Sequence, residues 1–162
     1  MDANVARPFH VSVICSGNIC RSPIGEKVLQ AAFDEAGLAD LVEVTSAGTG
    51  DWHVGQPANP RAVKVLAAAG YPTGHRARQI DAAYLDCIDL VLAADHGHLR
   101  ALRSLTGDHD KVVLLRSFDP DADGDEVPDP YCGPDAGFDE VLAMTRAAAP
   151  GVVAAVRERL RR

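Results

Sequence analysis

The 162 residues suffice for a single domain (1–162) with a real hydrophobic core, and 47% hydrophobic against 24% charged residues is an ordinary soluble balance. A net charge of −7 repels polyanions, which excludes nucleic acid and an anionic membrane as main partners but leaves room for a local basic site. No apolar stretch approaches the roughly 20 residues of a membrane span. The N-terminus MDANVARPFHVSVIC has no apolar run followed by a small-residue cleavage site. Cysteines at 15, 20, 87 and 132 show neither metal spacing nor the density of a disulfide scaffold. The expectation is a cytoplasmic protein with reduced thiols, no signal peptide, no metal and no cofactor, with export by another route left open.

Residues 9–15 (FHVSVIC) read as a short buried strand, followed at once by a Gly-containing loop. Ser22-Pro23 opens a helix, with proline at a tolerated first-turn position, and Gly37 is a natural stop. Residues 42–46 (VEVTS) predict a second strand, 47–60 a long loop, and 61–69 (RAVKVLAAA) a helix closing on Gly70. A third strand is predicted over 88–94, with Cys87 buried beside it, then an Asp95-led helix to about Leu105 and a fourth strand over 112–115. A Pro- and Asp-rich loop spans roughly 117–136, and the chain is helical from about Phe138 with an interruption at Pro150. Strands alternating with helices imply an α/β fold whose parallel sheet is covered on both faces. Ligands of such sheets bind at the carboxyl ends of strands, where the loop 15–22 sits.

That loop, Cys15-Ser16-Gly17-Asn18-Ile19-Cys20-Arg21-Ser22, has the form Cys-x5-Arg-Ser. Between a strand and a helix N-terminus, successive backbone N–H groups can turn inward as a nest for anionic oxygens. Gly17 and Asn18 are residue types that tolerate the backbone angles such a loop needs. Arg21 offers a bidentate fork to phosphate oxygens, which lysine does not reproduce. A field that holds phosphate also favours a thiolate over a thiol at its centre, and a hydrogen bond from Ser22 acts the same way. Cys15 is therefore expected to be a nucleophile without a separate base. The other common phosphate loop needs a Gly-Lys-Ser/Thr ending, and none is present.

Displacing an alkoxide or phenoxide from phosphorus calls for a general acid. Composition does not choose among Asp119, Asp121, Asp123, Asp125, Glu126 and Asp129, all in the acidic loop. Asp119-x-Asp121-x-Asp123-Gly124 also matches the first half of a calcium-binding loop, although the position needing a bidentate Glu falls on Pro130. His10, His96, His98 and His109 have no companions at metal spacing and read as surface or core residues.

CSGNICRSP closely resembles the signature of the low-molecular-weight protein tyrosine phosphatases. SAGTGDWHVGQPANPRA at 46–62, GYPTGHRARQI at 70–80, the Asp95 region and DPYCGPDAGFDEV at 129–141 resemble family segments in family order, and 46–62 is most like the actinobacterial branch. The resemblance implies one three-layer domain with a four-stranded parallel sheet flanked by helices and the phosphate loop between the first strand and first helix. It implies phosphotyrosine hydrolysis through a phosphocysteine on Cys15, with Arg21 clamping the phosphate and Asp129 of Asp-Pro-Tyr as general acid and base. Ser16, Gly17, Asn18, Ile19, Cys20 and Ser22 would complete the phosphate loop, supported by Asn18, Ser46 and His75. Trp52, His53 and Tyr131 would flank the pocket. Cys132 stands where many relatives carry a second tyrosine, so it would open one wall. Cys20 would form a reversible disulfide with Cys15. The implied partners are phosphotyrosine-bearing proteins and a tyrosine kinase, with the chain a monomer. An arsenate reductase on the same fold is the nearest rival, but that chemistry needs paired later cysteines and has no use for Asp129. A non-catalytic phosphotyrosine-binding module would have no need of Cys15 and Asp129 together.

Overall fold

The computed structural model describes residues 7–162. The strands are β1 (Phe9–Cys15), β2 (Val42–Gly48), β3 (Leu90–Ala93) and β4 (Val112–Leu114). The helices are α1 (Arg21–Glu35), α2 (Pro60–Ala68), α3 (Ala82–Asp86), α4 (His96–Arg103) and α5 (Ala136–Leu160). All strand pairs are parallel, in the order β2-β1-β3-β4. After β2 the chain crosses behind β1 to lay β3 on its other side, so the strand order reverses at β1 and leaves a crevice at the carboxyl ends. Register makes those ends level: Cys15 lies beside Gly48 on one side, and Ile14 beside Ala93 on the other.

β1 is central and buried on both faces, which is why it reads as a continuous apolar run. Its alternate residues enter two cores. Val11, Val13 and Cys15 join Phe33, Leu66 and Phe138 under α1, α2 and α5, while Ile14 joins Leu85, Ile88, Val91 and Leu102 on the opposite face. Asn59, Asp81 and Asp95 cap α2, α3 and α4 by accepting the N–H groups of Arg61, Tyr84 and His98, each worth about 1 kcal/mol. Among the described residues no helix is long and apolar enough to cross a membrane.

Four local expectations need correction. β2 continues through Ala47 and Gly48, because pairing with β1 carries it past the apolar pattern. β3 is shorter than predicted, since α3 and a turn occupy the residues before it. Cys87 ends α3 and is exposed rather than buried, its sulfur within 3.5 Å of the Ala83 carbonyl. α5 runs unbroken through Pro150. That proline and Arg146 both face solvent, so the carbonyl that loses its intrahelical donor can bond water. Meanwhile Thr145, Ala148, Ala149, Val152 and Val153 stay buried on the other side. Burial of that stripe outweighs a local cost of about 3 kcal/mol.

Gly151, next in the helix, lies against the backbone of Phe118, so that a β-carbon there would overlap the Phe118 carbonyl oxygen. At an unobstructed helical site Gly→Ala stabilises by roughly 1 kcal/mol. Gly151→Ala is instead expected to destabilise by about 1–3 kcal/mol, the range for overpacking against atoms that cannot move aside. Urea unfolding against the wild type measures the sign.

Candidate active site

The loop between β1 and α1 is shaped by one backbone angle and a set of bonds that fix it. Asn18 has φ 59°, the one positive value at a non-glycine position among the described residues. Asparagine adopts that left-handed conformation more readily than most residues. Its side chain is then saturated: Nδ2 donates to Ser22 Oγ (2.8 Å) and Ser46 Oγ (3.0 Å), and Oδ1 accepts the Arg78 N–H (2.9 Å). The Ser46 hydroxyl in turn donates to Glu26 Oε1 at 2.6 Å. Ser22 Oγ, already accepting from Asn18, is free to donate to Cys15 Sγ at 3.0 Å.

The carbonyls of the loop are drawn outward. Those of Cys15, Ser16 and Ile19 accept the N–H groups of Thr49, Gly50 and Asn59, and that of Asn18 accepts His75 Nε2–H at 2.6 Å. Peptide units whose oxygens are bonded outward leave their amides for an anion inside the loop. β2 ends close enough for this only because residue 48 is glycine. A β-carbon there would come within 2.6 Å of the Ser16 carbonyl oxygen.

Arg21 begins α1 and is only 4% exposed. Its Nη1 donates to Asp95 Oδ2 and to the Val127 carbonyl, both at 2.9 Å. Its Nη2 makes only long contacts, to Ser16 Oγ (3.5 Å) and Asp129 Oδ2 (3.8 Å). Asp95 lies just beyond β3 and faces His98 as well, at 3.1 Å from Nδ1, while His98 Nε2 meets Ser16 Oγ at 2.8 Å. Burial pushes the Asp95 carboxyl up, but the His98 N–H and imidazole and the Arg21 guanidinium together hold it below the ordinary value. Burial lowers His98, with Asp95 opposing and Arg21 assisting, and burial likewise lowers His75 against its bond to Asn18. Cys20 is buried, and that burial, with Cys15 and Asp129 nearby, pushes its thiol up to about 12.

A cavity of about 190 Å³ opens over this loop. Cys15, Ser16, Gly17, Ile19, Cys20 and Arg21 form its floor, and Trp52, His53, Asp129 and Tyr131 its walls. Trp52 is 67% exposed and Tyr131 48%, so these rings are held out of the core at the rim. The His53 and Tyr131 rings lie 6.4 Å apart, tilted by 42°. Asn18, Ser22, Ser46 and His75 lie beneath the cavity as its frame rather than in its lining. Cys132 is exposed and outside the lining.

Three of the other acidic-loop carboxylates are engaged elsewhere. Asp123 pairs with Arg116 at 2.7 Å, Asp125 with His96 at 2.7 Å, and Glu126 accepts the His96 N–H. Sequence reading missed Asp95, His98, Glu26 and Arg78 as site residues. Of these only Asp95 carried a signal, a carboxylate directly after a strand end.

The lowered imidazoles set a sign for stability. Each binds a proton more weakly folded than unfolded. The unfolded chain therefore takes up protons as the pH falls through about 6.5, and stability falls with it. Unfolding titrations from about pH 7.5 to 5.5 should show that loss, and His98→Gln should make the slope shallower.

The chain matches the family described as low molecular weight phosphotyrosine protein phosphatase over residues 10–162. It is 52% identical over 157 residues to a low molecular weight protein-tyrosine-phosphatase of Streptomyces coelicolor, covering 94% of this chain and 96% of that one. It is 48% identical over 157 residues to low molecular weight protein-tyrosine phosphatase A of Mycobacterium tuberculosis, covering 96% of each. The crystal structure of YfkJ from Bacillus subtilis superposes with a TM-score of 0.89 at 30% identity, covering 96% of this chain and 99% of that one. With the Cys15–Arg21 loop built as described above, these matches mean that the chain belongs to the low molecular weight phosphotyrosine protein phosphatase family.

Proposed function

We propose that this family member hydrolyses phosphotyrosine, with Cys15 as nucleophile, Arg21 as phosphate clamp and Asp129 as general acid and base. The observation that carries the reading is the cavity itself, with the Cys15 sulfur on its floor, hydrogen-bonded to Ser22, and Asp129 on its wall near Arg21. In the first step the sulfur attacks phosphorus in line, and an S–P bond forms as the P–O bond to the tyrosyl group breaks. Asp129 delivers its proton to the departing oxygen. In the second step Asp129 takes a proton from water, whose oxygen attacks phosphorus. The S–P bond then breaks and inorganic phosphate leaves.

The transferring phosphoryl group stays within one frame of donors in both steps. The inward amides of the loop and the free edge of Arg21 are preorganised for the equatorial oxygens, so no donors need turn when the transition state forms. Trp52, His53 and Tyr131 supply flat walls for an aryl group. Asn18, Ser46 and His75 hold the loop, and the Ser22 hydroxyl stabilises negative charge on sulfur. Cys20 shares the cavity floor with Cys15, which supports a protective disulfide once an oxidant has converted the nucleophile to its sulfenic acid. The substrate is a phosphotyrosine-bearing protein and the opposing activity a tyrosine kinase, with the enzyme a cytoplasmic monomer.

Against the calcium-loop alternative, Asp123 is already paired with Arg116, and the position needing a bidentate Glu is Pro130. An arsenate reductase would have to relay a disulfide to Cys87 or Cys132, both exposed and both outside the cavity lining.

Hydrolysis of p-nitrophenyl phosphate and of a phosphotyrosine peptide tests the assignment. Cys15→Ser is expected to be inactive, and Asp129→Ala to lose about 10²–10⁴-fold on the phosphotyrosine peptide. Undiminished turnover by Cys15→Ser would sink the mechanism. Equal rates on phosphoserine and phosphotyrosine peptides would sink the aryl preference.

A further inference from the structure

Asp129 and Tyr131 sit on a segment, 129–135, that few hydrogen bonds tie to the rest of the fold, with Pro130 buried between them against Gly137. Asp129 has a side chain 56% exposed, and Tyr131 is also largely in solvent. The segment's own bonds are short-range turns: Tyr131 N–H to Asp129 Oδ1 (3.0 Å) and Gly133 N–H to the Pro130 carbonyl (3.1 Å). Beyond the long Asp129–Arg21 contact and the first-turn bonds of α5 from the Gly137 and Phe138 N–H groups to the Pro134 and Asp135 carbonyls, its hydrogen bonds to the rest of the described residues all come from one side chain, Arg61.

Arg61 lies in the first turn of α2. Its Nη2 donates to the Tyr131 carbonyl at 2.6 Å, its Nη1 to the Gly133 carbonyl at 2.7 Å, and Asp135 Oδ1 is 3.4 Å from Nη1. The guanidinium also stacks over the Phe138 ring, 4.4 Å from its centroid. A planar fork that bonds two carbonyls while lying flat on an aromatic ring is a geometry lysine does not supply. The other end of this turn is tied to the phosphate loop, through the Asn59 N–H to the Ile19 carbonyl at 2.8 Å. Asn59 Oδ1 in turn accepts the Arg61 N–H at 2.9 Å. A continuous set of short bonds therefore runs from the floor of the cavity, through Asn59 and Arg61, to Tyr131 and Asp129.

We propose that Arg61 is a positioning residue for leaving-group protonation, setting where the Asp129 carboxyl and the Tyr131 ring stand relative to Cys15. The inference rests on Asp129 being the general acid. Arg61 touches neither phosphate nor aryl group; its effect reaches the reaction through the segment it pins. Loss of the clamp leaves the nucleophile and phosphate loop intact but lets the acid wander, since a misplaced proton donor forfeits much of its contribution.

The test is kcat/KM, which reads only the steps up to departure of the leaving group, across aryl phosphates from 2,4-dinitrophenyl phosphate to phenyl phosphate. Dinitrophenolate leaves without help, whereas phenolate needs the proton. Arg61→Met keeps the apolar stem over Phe138 and removes every donor. It is expected to lose about 10-fold or more on phenyl phosphate, inside the range for full loss of acid catalysis, and under about 3-fold on the dinitrophenyl ester. The ratio between two substrates on one sample does not depend on how much of that sample is folded. Arg61→Lys, which keeps charge and stem, serves if the methionine variant does not fold and should show the same steepening. In Asp129→Ala, adding Arg61→Met should slow phenyl phosphate by no more than about 2-fold, because two changes to one function are not additive. A uniform fall across leaving groups, or full additivity in the double variant, overturns the clamp while leaving Asp129 in its role. A wild-type leaving-group dependence in Asp129→Ala overturns the acid assignment, and the role of Arg61 with it.

Discussion

The molecule is organised around a guanidinium that has almost no water. Arg21 is one of the few charged side chains inside the fold, and removing an ion from water costs several kcal/mol even after the protein relaxes. Asp95 and the Val127 carbonyl compensate one edge only. The other edge faces the cavity with contacts too long to satisfy it. In the proposed reaction a dianionic phosphoryl group supplies what is missing, and the proposed clamp role of Arg21 rests on that imbalance. The strand order follows from the same need. Asp95 reaches Arg21 because β3 lies directly beside β1, bringing the residue after one strand to the helix start after the other.

Around that ion the phosphate loop is over-determined. The left-handed backbone at Asn18 is unfavourable for most residues, and it persists because four residues hold it: Ser22, Ser46, His75 and Arg78. Each of these also settles a donor direction, down to the hydroxyl that faces the Cys15 sulfur. Catalysis by fixed dipoles depends on donors that are already in place, and this is what a saturated hydrogen-bond frame provides.

The walls are built on the opposite plan. Trp52 stands in solvent on a loop beyond β2, and Tyr131 and Asp129 ride on a segment that only Arg61 bonds across to α2. A rigid floor with lightly tethered walls separates the two demands on the site: phosphate is the same in every substrate, but the chain that carries it is not. Cys132, next to Tyr131 in sequence, is exposed and lies outside the cavity lining.

The catalytic loop was legible because its chemistry is contiguous. Cys15, Asn18, Arg21 and Ser22 are neighbours in sequence, flanked by an apolar run and a helix start, so local rules suffice to read a phosphate nest. The central strand and the first helix were legible for the same reason. Pro150 was misread because a local rule met a buried stripe that outweighs it, and Cys87 because it caps the short exposed end of α3 rather than flanking a buried strand. Among six carboxylates in one loop, composition alone chose none. Which of them faces Arg21 depends on how 117–136 lies over the sheet, and family resemblance stood in for that knowledge. Asp95 to Arg21 spans 74 positions, His98 to Ser16 spans 82, and Arg61 to Tyr131 spans 70. Periodicity and propensity carry no information at such range. The sequence by itself determined a thiol facing an oxyanion nest at the end of a strand. Only the tertiary structure decided what holds the arginine, the loop and the acid in register, because the crossover connections of a parallel sheet bring together residues that no local pattern links.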